Sequence, residues 1–288
     1  MFTAIIKNLK HLVRSDLRSK FVTHDQMNNI LDQLKYEVIE DCLTLKIPKI
    51  KSADQTLDDL ITCKPSICRF GDGELELMAG NDIAFQKASE KIADRLKEVL
   101  TAKYPNMFVA IPKAIFSPAN NIKTVVKDYW RLHGKKYRQI INPYLDLDQQ
   151  YYSADVTLAY LAYENYDLAT YFQKLRKLWH DKDIAIICGQ TIFDKISINI
   201  FDCAKSIQYV YGESKNAFDH YDSLLEKAQK IDKNKIIIII LGPTATILAY
   251  DLARLGYQAL DLGHIAKSYD CYMNDEDIKD GGSFFSPD

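Results

Sequence analysis

Neither of the common nucleotide fingerprints stands in this sequence. A G-x-G-x-x-G turn needs a third glycine, and the one candidate, Gly71-x-Gly73, has Glu76 in that place. No G-x-x-x-x-G-K-[ST] run exists either, so neither a standard dinucleotide site nor a P-loop is supported. The six cysteines form no C-x-x-C pair, which argues against a zinc ribbon or a thioredoxin-like redox motif. Scattered thiols, such as Cys188 within an apolar run, suit a reducing cytoplasm. Net charge is nearly absent at −2, so the chain as a whole offers no field for nucleic acid, and none is expected as a partner. The longest apolar stretch, from Ile236, is broken by Gly242-Pro243 and is too short to span a bilayer. Internal repeats and low-complexity tracts are lacking too.

The opening "MFTAIIKNLKHLVRSDLRSK" lacks the unbroken apolar centre and small-residue cleavage site of a signal peptide. It reads as a short basic amphipathic helix, with Ile5, Leu9, Leu12 and Val13 on one face. A docking helix is the preferred reading. Weak peripheral contact with the inner face of a membrane is the other.

What is present is a 47% hydrophobic chain of 288 residues, enough for one large domain with an appendage. Residues 1–45 read as helices and "IPKIKSADQT" as a linker. This divides the chain into an N-terminal helical extension, 1–50, and a main domain, 51–288. Apolar runs predict strands at Ile67–Phe70, Met107–Ile111, Gln139–Ile141, Ile184–Cys188, Ile207–Tyr211, Ile236–Leu241 and Gln258–Leu262. Helical stripes lie between most of them, among them Ile92, Leu96, Val99 and Leu100, and Leu168, Phe172, Leu175 and Trp179. A last helix runs from about Ala245 to Gly256. The tyrosine-rich stretch Asp146–Asp167 reads as an insertion. Strand–helix alternation predicts an α/β fold, a mainly parallel sheet with helices on both faces. In such sheets ligands sit at the carboxyl ends of the strands. That rule singles out "GDGE", "GQTIFDK", "GESKNAF" and "GPTAT".

In "RFGDGELELMAG", Asp72 and Glu74 stand two apart. If the backbone there is extended, both carboxylates point the same way and could grip one hard cation, Mg²⁺ or Mn²⁺, with Gly73 allowing close approach. Arg69 could pair with a carboxylate or a phosphate. The competing reading is that Asp72 simply caps the helix that follows. At "GPTAT", free amides after Gly242 and Pro243, with the hydroxyls of Thr244 and Thr246, could take a diphosphate. Alternatively Thr244 is an ordinary N-cap. Lys215 and Asn216 could meet a phosphate or a base, with Phe218 stacking on a ring, although a solvated turn leading into a helix is the default reading. His264 would lie beside "GPTAT" as a ligand or proton acceptor. The basic run ending Lys135-Lys136-Tyr137-Arg138 reads as an amphipathic helix with a solvated outer face rather than a site for lipid phosphate or an anionic acceptor.

Together, "RFGDGELELMAG" with the following "IAFQ", then "SKNAFDHYDSLLEKA", then "GPTATILAYDLARLGYQALDLGH", resemble the GT-D fold family of bacterial glycosyltransferases, in order, over about residues 55–265. The resemblance implies a Rossmann-like domain and a nucleotide-sugar donor, typically a UDP-sugar. It also implies a divalent metal, Mn or Mg, held by Asp72 and Glu74. Arg69, Gly71, Lys215, Asn216, Gly242, Pro243, Thr244 and Thr246 would then bind the donor. For an inverting reaction Asp146, Asp148 and His264 are the candidate bases. The acceptor would be a glycan, a lipid-linked sugar or a glycoprotein, and a homo-oligomer is compatible with the sequence. Hydrolysis of a nucleotide or phosphoester, and a non-catalytic nucleotide-sugar-binding subunit, are the rival readings. The chain departs from the family pattern after Ile184–Cys188, where Cys188, Gln190 and Phe193 replace expected acidic and Arg residues and only Asn199 is kept. It departs again at "IAKSYDCY".

Overall fold

The computed structural model describes residues 24–33, 47–117, 121–276 and 278. The chain divides into two units, Met1–Lys46 and Ile47–Asp288. In the first, residues 24–33 form a helix. The amphipathic stretch from Ile5 to Val13 lies outside the described residues. The second unit begins before the expected boundary, because Lys49–Ile50 form a short strand, β1, paired with Gln150–Tyr151. Part of the supposed linker therefore belongs to the sheet. Its remainder starts a helix, α1 (Ala53–Cys63), through a reciprocal cap between Ser52 and Gln55.

The other strands are β2 (Ser66–Arg69), β3 (Met107–Ile111), β4 (Gln150–Ser153), β5 (Asp183–Gly189), β6 (Ser206–Gly212), β7 (Ile236–Ile240) and β8 (Ala259–Asp261). They form one sheet in the order β1-β4-β3-β2-β8-β7-β5-β6. Every pairing is parallel. The fold is thus α/β with a parallel sheet. The helices are α2 (Asp72–Met78), α3 (Glu90–Thr101), α4 (Thr124–Ile141), α5 (Ala159–Ala162), α6 (Leu168–Arg176), α7 (Tyr221–Ala228), α8 (Pro243–Arg254) and α9 (Ile265–Met273).

Alternation along the strands divides the core in two. Ile237 and Ile239 of β7 join one cluster, which includes residues of α2, α3, α7 and α8. Ile236, Ile238 and Ile240 join the other, with α1, α6, α9 and the buried pair Trp179 and Phe201. The all-isoleucine β7 needs both faces covered, and this arrangement covers them. Helix α8 is buried almost all round, as its apolar sequence demands. Its one acid, Asp251, is satisfied by Arg95 of α3 at 2.6 and 2.7 Å and by the Tyr221 hydroxyl of α7 at 2.6 Å.

Three expectations fail. Gln139–Ile141 is the last turn of α4, because its apolar residues continue the helical stripe of Tyr137 rather than alternate. The tyrosine-rich segment is no insertion, since it supplies β4 and α5. Helix α8 is followed by a further helix, α9, that covers the second face.

Candidate active site

The chain leaves β2 toward β3 on one side, while β8 meets the other side of β2 from β7. Connections thus diverge around the β2/β8 seam, where open parallel sheets form a ligand crevice at their carboxyl edge. Five loops come together there. The turn into α2 approaches the turn into α8, because a side chain at Gly73 would meet Ile83 at 3.3 Å and Pro243 at 4.0 Å. A β-carbon at Gly242 would lie 3.8 Å from Cβ of Phe85, so the loop at Phe85 passes close by. Its carbonyl accepts from the Asn216 amide at 2.7 Å, and the Asn216 side chain accepts from the Lys87 amide at 2.9 Å. The Phe85 ring lies 6.0 Å from the His264 ring. Asn216 adopts the left-handed conformation, φ 52°, that lets this loop double back.

An ion pair pins the floor of the crevice. The Arg69 amide donates to the Asp261 carboxylate at 3.0 Å, Nε to the Asp261 carbonyl at 2.9 Å, and Nη1 to the Ala154 carbonyl at 3.0 Å. Nη2 lies 3.7 Å from the second carboxylate oxygen. Arg69 therefore locks the ends of β2, β8 and β4 together, and of its two expected partners, a carboxylate or a phosphate, it takes the carboxylate. Burial pushes the Asp261 carboxyl up, and Arg69 opposes that. Gly263 makes the arrangement possible. Its φ is +46°, and a β-carbon there would fall 1.8 Å from Arg69 Nη2.

Asp72 and Glu74 behave differently from the extended-backbone expectation. Both lie in the first turn of α2, where residues two apart point in different directions. The N-cap is Gly71, not Asp72. Glu74 is half-buried and accepts from the Gly71 amide at 2.6 Å. Burial pushes its carboxyl up to about 7, with Asp261 and Asp72 adding repulsion. The exposed Asp72 accepts from the Tyr129 hydroxyl of α4 at 2.7 Å. Tyr129 contacts Tyr137 at 3.0 Å, and Tyr137 donates to Glu76 at 2.9 Å. Lys136 pairs with the same Glu76, so the basic tip of α4 docks on α2 instead of being wholly solvated. Burial works against ionised Glu76, but the hydrogen bonds of Lys136, Asn81 and Tyr137 win and hold its carboxyl low.

At the α8 turn, Gly242 is the N-cap, with φ +53°, and Thr244 is buried inside the helix. Pro243 has no amide to offer, and the Ala245 amide is spent on the Gly242 carbonyl at 2.9 Å. Thr246 is fully buried and donates to the Arg69 carbonyl at 2.9 Å, with Asp261 at 3.2 Å. Its hydroxyl braces the seam and is not presented to a diphosphate. Lys215 is exposed beside Asn216, while Phe218 is a core residue.

Asp146 and Asp148 are not at this edge. They precede β4, at the amino-terminal end of the sheet, where Asp146 pairs with Lys103 just ahead of β3. That placement sets them at the opposite end of the sheet from the β2/β8 crevice. A different acid, Asp155, lies two residues past β4 on the carboxyl side. Its carboxyl is raised by burial, accepts from Tyr163 at 3.3 Å and feels the Arg69 charge. Nothing in its local spacing marked it. Of the departures after β5, Asn199 is a turn-former that accepts from the Phe201 amide at 3.0 Å. Asp270 of "IAKSYDCY" takes the Ser197 and Ile198 amides at 3.1 and 2.7 Å, holding that loop on α9.

Among the described residues no three His, Cys, Asp or Glu side chains converge as a closed cation site, and no helix is long and apolar enough to cross a membrane. The glycosyltransferase GT-D fold family model matches residues 67–280. The chain belongs to the GT-D fold family. Two solved structures share its architecture. One, described as showing that the highly conserved domain of unknown function 1792 has a distinct glycosyltransferase fold, has a TM-score of 0.74 at 34% identity, covering 80% of this chain and 83% of that one. The other, described as a new glycosyltransferase from Streptococcus sanguinis, has a TM-score of 0.75 at 30% identity, covering 79% and 85%. Curated relatives include a probable glycosyl transferase Gly of Streptococcus gordonii, 31% identical over 78% of this chain and 33% of that protein. Another is the glycosyltransferase GlyD of Streptococcus pneumoniae serotype 4, 29% identical over 87% and 31%. This GT-D chain spans about a third of the length of those relatives.

Proposed function

We propose that this GT-D domain transfers a sugar from a nucleotide-sugar donor, a UDP-sugar by family resemblance, to an acceptor hydroxyl in surface glycan or glycoprotein synthesis. The observation that carries the reading is the convergence of the α2, Phe85, Asn216, α8 and His264 loops on the β2/β8 seam. Asp72 is exposed and Glu74 half-buried on that rim, two hard oxygen donors. Either carboxylate alone suits Mg²⁺ or Mn²⁺, which takes one or two carboxylates and completes its shell with phosphate and water. When bound, such a cation supplies positive charge to the departing diphosphate.

The chain's own residues do the rest. Asp72 and Glu74 fix the donor's diphosphate end, with Tyr129 orienting Asp72. Lys215, exposed beside the anchored Asn216, meets phosphate charge. Arg69 and Asp261 hold the seam rigid without touching the donor. His264, against Phe85, is the remaining named candidate to take the acceptor proton. Asp155 lies on the same edge as the carboxylate alternative.

Donor turnover measured with and without chelator tests the assignment. Asp72→Ala and Glu74→Ala should each cost at least about a hundredfold in metal-dependent kcat. Retention of full turnover in both would remove the role. Sugar phosphate or nucleoside monophosphate formed without any glycoside would mark a nucleotide or phosphoester hydrolase instead.

A further inference from the structure

The two edges of the sheet are finished differently. β1 is only two residues long, a blunted edge. β6, at the other end, runs for seven residues without a charge or a proline. Among the described residues no strand pairs with its outer side. Tyr209 and Tyr211 are 38% and 44% exposed, and their rings stack at 6.0 Å with an interplanar angle of 5°. Phe193 meets Tyr209 edge-on at 5.8 Å. A long, uncharged aromatic edge of this kind is competent to receive another strand.

The residues flanking β6 select the occupant. Lys205 precedes the strand and Glu213 follows it, both exposed. Antiparallel pairing of β6 with its own copy, about a two-fold axis at its midpoint Tyr209, sets Lys205 of each copy opposite Glu213 of the other. Symmetry makes this happen twice. The same register sets Ile207 opposite Tyr211 twice and brings the two Tyr209 residues together on the axis. These are favourable cross-strand pairs, and the interface is self-complementary as a two-fold requires. Lys205 is held by Asp183 only at 3.4 Å and at the surface, so it can turn to the new acid.

We propose that the chain forms a two-fold homodimer by β6–β6 antiparallel pairing, joining two eight-stranded sheets into one. Because the pairing reverses strand direction, the two candidate sites open on opposite edges of the joined sheet.

Sedimentation equilibrium on the full chain, from about 1 to 200 µM, tests this, with circular dichroism and a melting curve on each variant to confirm folding. The wild type should dimerise. Lys205→Glu and Glu213→Lys should each weaken association at least about tenfold, since each turns two attractions into two repulsions. The double variant should recover to within about threefold of wild type. Tyr209→Lys should be a folded monomer. A wild type that stays monomeric at the top concentration overturns the proposal. So does a Tyr209→Lys protein that still dimerises, or a double variant no better than the singles.

Discussion

At the scale of single residues, the Arg69–Asp261 pair and Gly263 carry the site's rigidity. Gly263→Ala would force a β-carbon onto the guanidinium at a left-handed φ. It should cost about 3 kcal/mol in a denaturant titration, through strain and displacement of Arg69. Glu74 carries a pH signature. Its folded pKa of about 7 lies above its ordinary value of 4.5, so the folded state holds the proton more tightly. The stability this gives is full below pH 4.5, falls as pH rises, and is gone above about 7. Glu74→Gln keeps an acceptor for the Gly71 amide but removes the charge. Its melting temperature should therefore gain on the wild type at pH 8 and not at pH 4. An equal gain at both would show that burial of this carboxylate is not the cause. The carboxylates of "GDGE" were visible in the sequence. Their orientation was not, because whether two acids two residues apart share a face depends on whether Asp72 begins the helix or precedes it.

At the scale of elements, α4 and α2 are joined by tyrosines. The Tyr137 hydroxyl sits between Glu76 and Tyr129. Tyr137→Phe should cost about 1–2 kcal/mol, because it removes a hydrogen bond to a charged group, and it should also loosen the bond from Tyr129 to Asp72. A matching fall in turnover with unchanged donor affinity would place the effect on Asp72 orientation. In the strands, β7 is the most demanding. Ile238 is fully buried against the α1 and α9 side, and Ile238→Ala should cost about 3–4 kcal/mol on chemical denaturation. β7 was plain in the sequence because isoleucine runs suit a doubly covered strand. β4 was hidden, since "QYYS" is short and tyrosine-rich and its assignment rests on neighbours β1 and β3. Without that strand the sequence does not show that Asp146 and Asp148 precede a sheet strand while Asp155 follows it.

At the scale of the molecule, the second unit carries its own two-sided core and contains the whole family match. A fragment beginning at Ile47 should therefore melt cooperatively, and a non-cooperative melt would show that this unit's core is not self-sufficient. The sequence by itself determined the α/β class, most strand positions and the loops that bear the candidate site, because burial on two faces and turn chemistry are written in local composition. Only the tertiary structure decided which charges are spent within the protein. Arg69, Thr246, Lys136 and Asp146 have the residue types of ligand-binding groups, yet each is committed to a partner far away in the chain or across the sheet. Such long-range pairing leaves no periodicity to read, since it depends on strand order, and strand order is set by how the helices pack.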